Sequence, residues 1–476
     1  MLWSGGILLL NNGRSLSIIV FSLFFSWLLA FPFEGQILYA ITNYYAIEPL
    51  ALNFGSMAAH FAGLFLCGFF IKSINAARHL MLFSILACLT GTLVFFFPPS
   101  ILWNISILAV SLLSGLCVAA WGHYFKKYTP SGERIKTAAD VLIYSNALMI
   151  ILNSAAILIS PKLGLGLTLV MLILAFYFQL KLPVDEAPAV NSSSNAVIYN
   201  VSPIKPLAFL CMFIVVITIN SGLMYQVVNP AFAHLEWLVS WYWAIPYIIA
   251  LFIVKNLPDK TNRNYILYVA ITMIGLSFIC FMVLDRSASS YFIVDTFMLG
   301  ACGVYDLFWW SILGEMLDFH HNPGFILGTG LSANVLGVFI GGTLGNLIPS
   351  SGASSANPSV LALIIVLITL LILPLLHKYL LTLLKDHVFL RQLYEMPPVK
   401  QAEAIESFTG IGLLTERESE IAVLLLKGMT YKMIAGQLYL SENTVKTHVK
   451  NIYSKFNIQS KIELVKLLMH KEDFKA

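Results

Sequence analysis

The chain has 476 residues, 58% of them apolar and 11% charged, with a formal net charge of +4 and a mean hydropathy of +0.82. A soluble domain is about 45–50% apolar and about 25% charged, and a water-exposed surface cannot hide the excess seen here. An ordinary cytosolic globule is therefore excluded, as is a disordered chain, which would be poor in apolar and aromatic residues. The composition is also uneven. All nine Trp lie at or before Trp310, while residues 378–476 hold 14 of the 28 Lys and Arg and 11 of the 24 acids. The net charge divides as +1 over residues 1–377 and +3 over residues 378–476, so two different materials share one chain. Cys67, Cys88, Cys117, Cys211, Cys280 and Cys302 all sit inside apolar runs without metal-like spacing and are expected as small core residues.

Crossing roughly 30 Å of hydrocarbon takes about 20 mostly apolar residues in a helix. Twelve stretches qualify: 15–38, 47–71, 79–97, 101–122, 139–159, 163–181, 206–226, 235–254, 265–284, 290–317, 325–347 and 358–381. The first is read as a span and not as a cleaved signal peptide, because no small-residue cleavage site follows it and a second span comes soon after. With the N-terminus inside, the inner segments hold Arg14, Lys72, Arg78, Lys126, Lys127, Arg134, Lys136, Lys181, Lys205, Lys255, Lys260 and Arg263, and the outer loops hold Lys162 and Arg286. Positive residues accumulate in cytoplasmic loops, so twelve against two orients the bundle, and an even number of spans returns the C-terminus to the cytoplasm. Residues 183–205, with Asn191-Ser-Ser-Ser-Asn195, form a polar linker between six spans (1–182) and six more (206–381). Residues 382–410 connect to the tail: Leu383, Leu384, Val388 and Leu393 with Lys385, His387 and Arg391 suit an amphipathic interfacial helix, which Pro397-Pro398 breaks.

A six-plus-six arrangement with a long inner central loop resembles the major facilitator superfamily, whose halves are related repeats. Members carry an Asp-basic-x-Gly-basic loop between spans 2 and 3, often echoed between spans 8 and 9. The second loop here is Asp259-Lys260-Thr261-Asn262-Arg263, with Asn for Gly; the first is Lys72-Ser73-Ile74-Asn75-Ala76 after Gly68, with Lys for Asp. The resemblance implies an all-α, twelve-span bundle over about 370 residues.

The tail, 411–476, is a separate four-helix unit. Thr415-Glu416-Arg417-Glu418 is a capping box, followed by Ile421, Leu424 and Leu425 at helical spacing up to Gly428. Thr430 opens a second helix carrying Ile434 and Leu438, Ser441 caps a third, and Ser460-x-x-Glu463 caps a fourth. In the third helix Val445, Val449, Ile452 and Phe456 point inward, while Asn443, Lys446, Thr447 and Lys450 form a basic, hydrogen-bonding face suited to a major groove. On periodicity alone that face is equally a solvated one. Leu414-Thr-x-Arg-Glu, Gly428, Ile434-Ala435-x-x-Leu438, Ser441-x-x-Thr444-Val445-Lys446-x-His448-x-x-Asn451-Ile452 and Lys455-Phe456 resemble the LuxR-type (NarL/FixJ/GerE) helix-turn-helix domain. Met433 stands for the usual Glu and Lys461 for the usual Arg. The resemblance implies double-stranded DNA as partner, Lys446, Thr447 and Lys450 at base edges, Thr444, His448 and Lys455 near phosphates, and a homodimer through Leu464, Leu467 and Leu468. RNA polymerase is a further expected partner.

Polar residues at membrane depth are costly and so carry functional hypotheses. The tenth span holds Asp295, Asp306, Glu315 and Asp318, with Tyr305, Trp309 and Trp310 beside Asp306. That mixture suits a cationic or hydroxylated aromatic ligand. Asp295, His60 and Asn220 join Asp306, Tyr305, Trp309 and Trp310 as ligand candidates; Asp140, Asn146, Asn153, Gln226 and Asn334 follow, each with an interhelical hydrogen bond as its alternative role. Trp241, Tyr242 and Trp243 are expected as an interfacial anchor, His320-His321 as solvated, and Gly328, Gly330, Gly337, Gly341, Gly342 and Gly345 as packing positions. No nucleotide loop, catalytic triad or zinc spacing occurs, so no enzyme, cofactor or metal is expected. The sequence reads as a membrane-embedded, one-component transcription regulator of a bacterial inner membrane, sensing a small molecule. Two alternatives remain: a working secondary transporter with an added regulatory domain, and a bundle that only anchors the tail.

Overall fold

The computed structural model describes residues 12–33, 35–183, 204–257, 263–350, 357–395, 414–426, 429, 431–458 and 464. These contain no strand. Twelve helices are long and apolar enough to cross a membrane: α1 Gly13–Ala30, α2 Leu50–Phe70, α3 Ile74–Phe96, α4 Ile101–Tyr128, α5 Arg134–Leu158, α6 Pro161–Lys181, α7 Ile204–Ala231, α8 Ala233–Lys255, α9 Ile266–Val283, α10 Ala288–Phe319, α11 Pro323–Leu347 and α12 Pro358–Leu376. Hydrocarbon offers no partner to backbone N–H and C=O groups, and a helix satisfies both internally. Large apolar side chains such as Phe70, Phe83, Ile151, Phe252 and Leu371 stay exposed, as a lipid-facing surface requires.

The first span ends earlier than its apolar run. Pro32 and Gly35 interrupt it after Ala30, and a short separate helix, Gln36–Tyr44, follows. A Cβ on Gly35 would overlap the Ala30 carbonyl, so only glycine allows the chain to fold back this tightly. At the other end, the helix containing α12 continues unbroken to Glu395 and crosses the expected boundary at 381. The loop motif at 258–262 lies outside the described residues.

Within the bundle, α1 packs on α5 and α6, and α2 on α4, while α8 and α9 pack on α10. The two halves meet through α2 against α11 and through α5 against α8 and α10. Small residues set the closest approaches. A Cβ on Gly341 would overlap the Ile219 carbonyl of α7, and one on Gly222 would overlap the Val338 carbonyl of α11. The glycines of α11 are therefore packing positions, as the small-residue pattern requires.

The chain separates into two compact units, one holding the bundle and the other Asp185–Pro206 with Lys378–Ala476. In the tail, helices α13 (Glu416–Leu426), α14 (Tyr431–Leu438) and α15 (Glu442–Lys455) enclose a core of Ile421, Leu425, Ile434, Val445, Val449, Ile452 and Leu464. Thr415 and Glu418 make the reciprocal capping box: the Glu418 N–H donates to Thr415 Oγ1 at 3.3 Å and the Thr415 N–H donates to the Glu418 carboxylate at 2.9 Å. Ser441 caps α15, accepting from the Thr444 N–H at 3.0 Å.

Two glycine substitutions are expected to act in opposite directions. Gly341→Leu overpacks the α7–α11 contact and costs about 1–3 kcal/mol, read as a lower melting temperature in detergent. Gly436, with open space where a Cβ would stand, gains about 0.4–1 kcal/mol for the tail on change to Ala, read as slower proteolysis of the tail.

Candidate functional site

A partly open cavity of about 130 Å³ lies between the halves of the bundle. α1, α2 and α5 contribute Phe25, His60 and Asn146; α8 and α10 contribute Trp243, Tyr247, Asp306 and Trp310; α11 contributes Asn334. Asp306 lies on the inward stripe of α10, with Leu299, Cys302 and Trp310 at i−7, i−4 and i+4. Tyr247 donates its hydroxyl to Asp306 Oδ2 at 2.6 Å. Trp310 is held edge-on by Phe21 and Phe25 of α1 and lies 6.2 Å from the ring of Trp121 in α4. Near Ser221 and Tyr225, which also line the cavity, α7 widens into a π-helical turn over Met224–Val228. Pro230 accounts for it, because its ring cannot donate to, and clashes with, the carbonyl four residues back.

Of the residues singled out in sequence, Asp306, Trp310 and His60 line the cavity, with Asn146 and Asn334. Tyr305 and Trp309 do not. They lie one residue off the Asp306 stripe, roughly 100° around the helix, and stack on each other at 6.3 Å with their polar atoms buried and unpartnered. Asp295 shares the stripe but stands three turns, about 16 Å, away; it is buried outside the cavity. Asn220 is fully buried, neither lining the cavity nor hydrogen-bonded through its amide. Trp243, expected at the interface, turns inward instead. Tyr247 was not singled out in sequence, because its partner Asp306 is 59 positions away; its i+4 spacing from Trp243 is the signal that could have placed both on one face.

Toward the C-terminal end of α10 the halves are joined by polar contacts. The Arg134 guanidinium grips both Asp318 oxygens, at 2.9 and 2.7 Å, and donates to the Gly314 carbonyl at 2.7 Å. Lys255 pairs with Asp140, Lys126 donates to the His320 carbonyl at 3.0 Å, and Asn322 donates to the Gly68 carbonyl at 2.7 Å. Asp140 and Asp318 thus act as cross-half partners. His321 is exposed, while His320 is half-buried and stacks on it. Among the described residues no cluster of three or more His, Cys, Asp or Glu could hold a metal.

In the tail, Lys446, Thr447 and Lys450 are exposed on one side of α15, and Thr444 and His448 are half-buried beside them. Lys446 pairs with Glu442 one turn back at 2.9 Å, and Thr447 returns its hydroxyl to the Asn443 carbonyl. Lys446 and Lys450 flank a groove with Tyr431 and Tyr453. The Lys455 ammonium bonds Glu418 at 2.6 Å, tying α15 to α13, while the residue itself stays exposed. Leu464 is fully buried in the tail's own core and offers no surface to a partner. Leu467 and Leu468 lie outside the described residues. Burial alone would raise the Glu418 carboxyl, but hydrogen bonds from Lys455 and Thr415 outweigh it and hold the group below its ordinary value of 4.5.

The bundle and tail together define a multi-pass membrane protein carrying a helix-turn-helix DNA-binding domain. Residues 412–468 match the family described as bacterial regulatory proteins, luxR family. The chain is 53% identical over 53 residues to the uncharacterized response regulatory protein YgeK of Escherichia coli (strain K12), covering 11% of this chain and 36% of that protein. It is 42% identical over 66 residues to the response regulator protein VraR of Staphylococcus aureus (strain NCTC 8325 / PS 47), covering 14% of this chain. The match thus spans 36% and 29% of the lengths of these relatives. In structure the chain is similar to the proton:xylose symporter XylE (TM-score 0.59, 12% identity, 79% of this chain and 96% of that one). It is also similar to the human organic anion transporter MFSD10 (TM-score 0.56, 13% identity, 76% and 98%). The fold of the bundle is that of the major facilitator superfamily, and the tail is a LuxR-type DNA-binding domain.

Three outcomes follow from these contacts. Asp318→Ala leaves the Arg134 guanidinium buried without its partner and costs about 3 kcal/mol, measured as thermal unfolding in detergent. Lys446→Ala and Lys450→Ala each lower the salt slope of DNA binding by about 1 if they meet phosphate, or relax base preference if they meet a base edge; Lys455→Ala instead destabilises the tail. Because the folded Glu418 carboxyl is depressed, its contribution is present above 4.5 and is lost as pH falls through the lower folded value. An acid titration of tail unfolding shows that loss, and Glu418→Gln removes it.

Proposed function

We propose that this protein is a membrane-embedded, one-component transcription regulator in which the bundle senses a small molecule and controls DNA binding by the tail. The observation that carries the reading is one chain joining a LuxR-type domain to a bundle whose internal cavity holds the carboxylate of Asp306. A charge at that depth is costly and marks a functional site. The ligand occupies the cavity and favours one arrangement of the two halves over the other, which requires differential affinity for the two states. The contacts of Arg134, Lys255, Lys126 and Asn322 are those such a rearrangement would break. On this reading the protein sits in a bacterial inner membrane with both termini cytoplasmic, as the distribution of Lys and Arg supports. The tail acts as a homodimer on paired half-sites, with Leu467 and Leu468 as its contact and RNA polymerase as a further partner. No catalysis is involved.

The test is transcriptional. In cells producing Asp306→Asn, target transcripts lose their response to the ligand while the protein still occupies its operators; in cells producing Lys450→Ala, occupancy itself falls. A chain reduced to residues 400–476 that regulates the same transcripts with the same response would contradict the reading.

A further inference from the structure

The lining of the cavity is one-sided in charge. Asp306 is its acid, and no Lys or Arg lines it among the described residues. The Tyr247 hydroxyl spends its single proton on Asp306 Oδ2, which leaves Oδ1 without a protein donor. His60 supplies no compensating donor. Its Nδ1 faces the Ser111 carbonyl at 3.3 Å and Ser114 Oγ at 2.8 Å. A carbonyl only accepts, so Nδ1 carries the proton and Nε2 remains an acceptor. Around these acceptors stand the rings of Phe25, Tyr225, Trp243 and Trp310, whose faces attract cations.

We infer that the cavity takes a small organic ammonium, with its nitrogen on the free oxygen of Asp306 and its apolar body among these rings. The inference rests on the reading of the cavity as the sensing site and narrows its ligand class. An anion would meet a carboxylate with no cation to offset it, and a neutral molecule would leave that carboxylate without a counter-charge. A hydroxylated ligand without a cation, admissible from sequence, is thereby ranked below an ammonium. Size sets a further limit. An engineered apolar cavity of about 150 Å³ holds one benzene, so a volume of about 130 Å³ takes no more than one ring, and bicyclic ligands are too large.

Benzylammonium, benzyl alcohol and benzoate share a ring and differ in head-group charge, which makes them suitable probes. Titrated calorimetrically into the full chain in lipid nanodiscs, benzylammonium binds at least tenfold more tightly than benzyl alcohol, and benzoate does not bind. Asp306→Asn lowers benzylammonium affinity at least tenfold and leaves benzyl alcohol unchanged, which also shows that the variant is folded. The ranking on the unmodified protein is decisive without any variant. Equal or tighter binding of the alcohol or the carboxylate, or no binding of benzylammonium, overturns the inference. Ammonium binding with no transcriptional response leaves this ligand class standing and removes the sensing reading. A transcriptional response to an anion does the reverse.

Discussion

Among the polar contacts that join the two halves of the bundle at one end, the most deeply buried charge is a guanidinium. Arg134 gives two bonds to Asp318 and one to the Gly314 carbonyl, so it joins the start of α5 to the end of α10 and also satisfies a carbonyl in the last turn of α10. One turn before Gly314 on the same helix, Trp310 wedges against Phe21, Phe25 and Trp121, and beyond that layer lies Asp306 in its cavity. The order along α10 is therefore cavity, aromatic layer, ion pair. A charge such as Arg134 is stable at low dielectric only when its partners are in place.

Much of this was legible in the sequence because the physics involved is local or periodic. Twelve apolar runs, the capping box at Thr415 and Glu418, and the inward stripe of Val445, Val449 and Ile452 each depend on neighbours within a turn or two. What the sequence hid depends on rotation and on distant partners. Tyr305 and Trp309 were grouped with Asp306 by proximity along the chain, yet a single residue of offset turns them roughly 100° away. Tyr247, Arg134 and Lys255 find their partners 59, 184 and 115 positions away, and no pattern within a helix announces such pairs. The second partner of Lys455 was hidden for the same reason. Its face on α15 suits a phosphate, and Glu418, 37 residues earlier, bonds it as well.

The tail shows how a short domain spends its charges. Glu418 accepts from the Thr415 backbone, the Thr415 hydroxyl and Lys455 through one buried oxygen, so it fixes both the start of α13 and the end of α15. Lys446 and Lys450 stay exposed on the face of α15 expected from sequence to meet a major groove.

On the proposed reading, the arrangement of the membrane halves sets the DNA affinity of the tail. The most direct measurement compares the unmodified chain with Asp318→Asn, both in lipid nanodiscs, for affinity toward operator fragments selected from the genome of origin. Release of the Arg134 contact is expected to change that affinity by about 5-fold or more, the range of an allosteric coupling. Identical affinity and identical salt dependence in the two proteins, with both correctly folded, would contradict the account.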